Sequence, residues 1–163
     1  MADGAEGAGE AMKGAMSRTM PGGCQCGRVR YEADLANDDA YWCHCRMCQR
    51  ATGGIAAAFV QAPEGAVRWL SEPDWYESSA IARRPFCARC GTPIGFAFVD
   101  DKGGIDLTVG SFDDPSAFRP VAHAGSESIH EAWLDTRDLP RHYTATTKSV
   151  ADRYAAAGME VPE

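Results

Sequence analysis

The chain has 163 residues, of which 45% are apolar and 24% charged, a length suited to one compact domain and a composition far from that of a disordered chain. Sixteen Lys and Arg against 23 Asp and Glu leave a formal charge of −7, which repels nucleic-acid phosphates and sets nucleic acid aside as a partner. No segment approaches the roughly 18 consecutive apolar residues that span a bilayer, and the first twenty residues hold no continuous apolar run of the secretory kind, so the expectation is a cytoplasmic protein with no membrane partner.

Residues 1–20 are Gly- and Ala-rich and acidic without an apolar period, and are expected to form a flexible leader. Val29, Tyr31 and Ala33 then alternate with Arg28, Arg30 and Glu32, the period of a half-buried strand. A helical turn is expected over 45–52. Further strands are expected over 55–60, 66–70, 75–78, 94–99 and 105–109, the last alternating Ile105, Leu107 and Val109. Pro63-Glu64-Gly65 and Glu72-Pro73-Asp74 mark reversals, and Asp100-Asp101-Lys102-Gly103-Gly104 reads as the turn of a hairpin. Asp114 before Pro115 has the cap-and-proline start of a short helix, and 150–157 suits another. The expected organisation is one mainly β domain over 21–148, followed by a tail over 149–163 that holds at most a short helix.

Seven cysteines, an odd number in a chain without an export signal, point to metal ligands or catalytic thiols rather than disulfides. They fall as Cys24-x-Cys26, Cys43-x-Cys45-x-x-Cys48 and Cys87-x-x-Cys90. A structural zinc takes four thiolates, usually from two short pairs on turns, and the outer pairs meet that demand. Joining them closes about 60 intervening residues, and such an ion is itself a source of folding free energy. The alternative for these four is buried cysteines that merely pack.

The middle group supplies three ligands, the number a catalytic zinc keeps while its fourth position stays open. Three thiolates around a dication leave a net single negative charge, which blunts Lewis acidity and favours a soft fourth partner such as a thiol. The alternatives are a second structural zinc completed by His44, another histidine or a carboxylate, an iron–sulfur cluster lacking its fourth ligand, and a redox thiol pair. His44 lies between two ligands and reads as a flanking residue. His123 and His130 are candidate proton carriers by residue type alone. Trp42, Trp69, Trp75 and Trp133 read as core or rim aromatics. Arg46 and Arg50 follow the cluster closely.

Gly23-Cys24-Gln25-Cys26-Gly27-Arg28-Val29-Arg30-Tyr31, Cys43-His44-Cys45-Arg46-Met47-Cys48-Gln49-Arg50 and Phe86-Cys87-Ala88-Arg89-Cys90-Gly91-Thr92 resemble the glutathione-dependent formaldehyde-activating enzyme family, which includes centromere protein V. The likeness continues through Leu107 to Pro115, Pro120, His123, Trp133 and Asp138-Leu139-Pro140. It implies a small zinc-stabilised β-tent fold, shared with methionine sulfoxide reductase B, of two or three antiparallel sheets with little helix. It further implies two zinc ions per chain, a structural one on Cys24, Cys26, Cys87 and Cys90 and a catalytic-type one on Cys43, Cys45 and Cys48. The second site, open and oxidisable, is expected to be only partly occupied. The implied activity is that of a carbon-sulfur lyase, joining glutathione and formaldehyde as S-(hydroxymethyl)glutathione or acting on another small aldehyde or a related glutathione adduct. Arg46 and Arg50 are then the candidate glutathione contacts. The rival reading is a non-catalytic zinc-binding module for protein interaction. A redox enzyme on this scaffold needs a reactive cysteine outside the zinc set, and none follows Cys90.

Overall fold

The structure, a computed structural model, describes residues 18–143 and 146–161. In chain order its elements are β1 (Arg18–Gly23), β2 (Arg30–Leu35), β3 (Asp39–Cys43), α1 (Arg46–Thr52), β4 (Ala57–Ala62), β5 (Val67–Ser71), β6 (Asp74–Ser79), β7 (Ala82–Phe86), β8 (Gly95–Phe98), β9 (Ile105–Thr108), β10 (Arg119–Ala124) and α2 (Lys148–Ala156). The fold is mainly β, as the sequence resemblance implies. One sheet has the order β1-β2-β5 and the other β10-β3-β4-β9-β8-β7-β6. Every pairing is antiparallel except that of β10 with β3, which is parallel.

The alternation at Tyr31, Ala33 and Leu35 turns one face of β2 inward, where it meets Val60 and Ala62 of β4, Leu107 of β9, Ile94 and Phe112 in one buried cluster. Tyr31 is the hub. Its ring stands edge-on to Trp69 and Phe112 at 5.6 and 5.5 Å, and its hydroxyl shares a 2.7 Å hydrogen bond with Ser111 Oγ. The buried phenol therefore keeps its proton, with burial pushing its pKa far up. Gly22 has to be glycine, since a Cβ there falls 2.4 Å from the Tyr31 hydroxyl and 2.7 Å from the Ser111 carbonyl oxygen.

β4 is buried on both faces. Val60 and Ala62 enter the main core, while Ala57 and Phe59 face a second cluster built with Cys48, Tyr41, Cys43, Cys45 and Phe96. That two-sided burial is why the sequence reads there as an apolar run rather than an alternation. Across the large sheet Tyr41 stands opposite Phe59 and Phe59 opposite Thr108, and Cys48 of α1 packs with Ala57 and Phe59 of β4.

All six strands expected from the sequence form, each within two or three residues of its expected bounds, and the aspartate- and glycine-rich turn joins β8 to β9 as a hairpin. The short helix expected after Asp114 forms as a single 3-10 turn at Pro115–Ala117, with the Asp114 side chain accepting from the Ser116 N–H. Four strands have no signal in the sequence reading. β1 carries Pro21 and two glycines, β3 is short, β7 is interrupted by Arg83, Arg84 and Pro85, and β10 is exposed along nearly its whole length. β1 takes in Arg18, Thr19 and Met20 from the expected leader because the Met20 side chain is buried in the main core; the rest of that leader lies outside the described residues.

The described chain divides into two units, the first ending at Ile129 and the second beginning at His130. The second holds a 3-10 turn at Glu131–Trp133 and α2. Trp133, expected as a core or rim aromatic, is 66% exposed. No helix among the described residues is long and apolar enough to cross a membrane.

Candidate metal centres

Two turns bring the outer cysteines together. After β1 the chain reverses through Cys24 to Gly27, where the Gly27 N–H donates to the Cys24 carbonyl oxygen and Gly27 takes a φ of 76°. After β7 it reverses again through Cys87 to Gly91, closed by Gly91 N–H to the Cys87 carbonyl oxygen at 2.7 Å, with Gly91 at φ 77°. Both conformations suit glycine, which has no Cβ to clash. The four sulfurs lie within 4.8 Å of one another, with Cys24 to Cys26 at 3.5 Å and Cys26 to Cys87 at 3.8 Å. A tetrahedral zinc with bonds near 2.3 Å sets its sulfurs about 3.8 Å apart, so the set fits such an ion. The spacing is far too long for a disulfide, which needs about 2.05 Å. Donors already point at the sulfurs, with Val29 N–H to Cys24 at 3.2 Å and Arg28 Nε to Cys87 at 3.4 Å. Arg28 also pairs with Asp74.

The second cluster sits where β3 ends and α1 begins. Cys43 is the last residue of β3, Cys45 caps α1 and accepts from the Cys48 N–H at 3.4 Å, and Cys48 lies one turn on, buried. Cys43 and Cys45 sulfurs are 3.6 Å apart, and all three lie within 4.8 Å. No fourth His, Cys, Asp or Glu atom joins them among the described residues. Three soft donors at tetrahedral spacing fit zinc with one position left over. Among the thiols themselves, the hydrogen bond from Cys43, helped by the Arg84 guanidinium, pulls Cys48 down to about 5, and the same shared proton together with burial pushes Cys43 up.

His44, fully buried, points to β10 instead, with its Nε2 2.9 Å from His123 Nδ1. Buried Gln49 ties the region together, its amide donating to the His44 carbonyl oxygen at 2.7 Å and to the Ser128 carbonyl oxygen at 3.1 Å. Gly125, at φ 64°, presses on the cluster so closely that a Cβ there meets Cys45 N at 2.6 Å. Arg46 and Arg50 are exposed on α1; Arg46 donates to the Gln49 side-chain oxygen, and neither arginine pairs with a carboxylate among the described residues. His130 belongs to the second unit.

A groove of about 840 Å³ runs beside β3 and is lined by Tyr41, Gln61, Asp106 and His123 among others. Burial raises the Asp106 carboxyl to about 6 despite its hydrogen bond with the Tyr41 hydroxyl, and the Cys48 charge adds to the rise. A carboxyl poised there can give or take a proton near neutral pH. Sequence reasoning leaves Tyr41 unassigned, takes Gln49 only as a loop neighbour of Arg46 and Arg50 and Arg84 only as half of the basic doublet Arg83-Arg84, and passes over Asp106. Gln49 and Arg84 are polar residues beside buried positions, a pattern visible only once their burial is known. Asp106 had one available signal, as the lone acid inside the alternating run Ile105-Asp106-Leu107.

The model of the glutathione-dependent formaldehyde-activating enzyme family matches residues 19–128. An uncharacterized lyase of Schizosaccharomyces pombe is 30% identical over 81 residues, 50% of this chain and 59% of that protein; the chain thus spans less than two thirds of that relative. The crystal structure of a Rhodobacter sphaeroides protein is similar with a TM-score of 0.53 and 25% identity, covering 64% of this chain and 100% of that one.

Proposed function

Because the chain belongs to the glutathione-dependent formaldehyde-activating enzyme family, we propose that it is a zinc-dependent carbon-sulfur lyase that makes or cleaves S-(hydroxymethyl)glutathione or a related adduct of glutathione with a small aldehyde. The observation that carries this reading is the trio Cys43, Cys45 and Cys48, gathered at tetrahedral spacing without a fourth side-chain ligand among the described residues. Zinc held by these three would supply a soft Lewis acid able to keep a thiol deprotonated near neutral pH. Cys24, Cys26, Cys87 and Cys90 form a complete set of four, which suits a structural zinc closing the turns after β1 and β7. Arg46 and Arg50, exposed and without carboxylate partners among the described residues, take the carboxylates of glutathione. The groove bearing Tyr41, Asp106 and His123 falls within the size range of small-molecule sites. A reducing cytoplasm keeps such thiols available.

The test is zinc content under reducing conditions, followed by zinc-edge X-ray absorption during a glutathione titration. We expect two zinc ions per chain when fully loaded, the second site lost first on dilution, and a rise in sulfur coordination as glutathione saturates. Zinc at both sites with sulfur coordination unmoved by glutathione would refute the reading.

A further inference from the structure

Arg84 carries a charge that the fold does not otherwise balance. It is only 3% exposed, and no carboxylate lies within salt-bridge distance of it among the described residues. Its Nη2 donates to Cys48 Sγ at 3.4 Å, its guanidinium carbon lies 5.0 Å from the centre of the Phe96 ring, and its Nε has no hydrogen-bond partner. The two arginines in comparable places are treated differently. Arg83, its neighbour, pairs with Asp101 and lies over Trp75. Arg28, which donates to Cys87 in the four-thiol cluster, has Asp74 as its own counter-charge. A guanidinium buried without a carboxylate is costly unless an anion faces it. At Arg84 the anion within reach is the Cys43, Cys45 and Cys48 set.

We infer that Arg84 is the counter-ion of the three-thiol cluster and, through it, the positioning residue that lets the open position accept an anionic ligand. This rests on the reading that the cluster holds a divalent metal with a free position. Three thiolates around a dication carry a single net negative charge, which repels an incoming thiolate. The buried guanidinium cancels that charge, and its N–H donation to Cys48 draws electron density off the sulfur. A neutral ligand is indifferent to this balance and an anionic one is not. The chemical class favoured is therefore a thiolate over a neutral donor of similar size.

The test uses the full chain loaded with cobalt(II), whose sulfur-to-metal absorption reports ligation at each cluster. Wild type, Arg84→Met and Arg84→Lys are titrated at fixed pH with 2-mercaptoethanol, which binds as a thiolate, and with imidazole, which binds neutral. Arg84→Met should weaken thiolate uptake about tenfold to a hundredfold while imidazole changes by no more than about twofold, and Arg84→Lys should keep most of the wild-type preference. A thiolate-to-imidazole ratio in Arg84→Met equal to that of wild type overturns the inference. Should wild type take neither ligand, the proposed glutathione site fails on its own. Arg84 is then judged by cobalt affinity alone: about tenfold weaker retention at the three-thiol cluster with the four-thiol cluster unchanged supports it, and equal retention overturns it. If Arg84→Met does not fold, Arg84→Gln is read against Arg84→Lys in the same way.

Discussion

Asp106 offers a quantitative check on how the candidate site is held. Its carboxyl is raised from 3.8 to about 6, chiefly by burial on the sheet face beside Tyr41. A raised carboxyl pKa means that the folded state binds its proton more tightly than the unfolded chain does. The associated stability is present in full below pH 3.8 and declines as the pH rises towards 6, beyond which the charge is buried at a constant cost. Substituting Asp106→Asn removes the titration and keeps the shape. Relative to wild type, the variant should gain about 1.6 kcal/mol at pH 5 and about 3 kcal/mol at pH 7.5. Solvent reaching part of the carboxyl scales both figures down by about a third, to about 1 kcal/mol at pH 5 and about 2 kcal/mol at pH 7.5. Urea unfolding of both proteins between pH 5 and 8, with zinc and reductant constant, measures the difference; metal release by acid is common to both and cancels. A difference that stays flat across this range, or that falls as the pH rises, would refute a carboxyl whose pKa burial raises.

The two clusters should separate by mutation. Cys87→Ser should remove one metal ion per chain and lower the midpoint of cooperative unfolding, whereas Cys48→Ser should remove one metal ion with a much smaller change in the midpoint, both read by metal analysis alongside thermal unfolding. Gly125→Ala forces a Cβ against the Cys45 backbone at a positive φ, so metal affinity at the three-thiol cluster should fall by at least tenfold while the four-thiol cluster keeps its ion; unchanged affinity at both, by chelator competition, would count against the close packing of this loop.

Much of this protein is legible in its residues because the relevant chemistry is local. Thiols this closely spaced can reach one ion with little chain strain, so the three cysteine groups, the outer two flanked by glycines, announce their clustering before any fold is known. β2 and β9 are legible for a similar reason, since each has one face in the core and the period of two survives in sequence. β7 and β10 are not. β7 is held by pairing with β6 and β8 on either side despite Arg83, Arg84 and Pro85, and β10 by a parallel partner about eighty residues earlier in the chain, about which local pattern says nothing. Only the tertiary structure decides which polar residues surround the sulfurs. Arg84 comes from β7, Gln49 from α1 and Asp106 from β9, and each looks like an ordinary surface residue until the sheet places it in a medium where an unbalanced charge or an unmet hydrogen bond is expensive. Ligand identity thus resides in short spacing, and ligand environment in long-range packing.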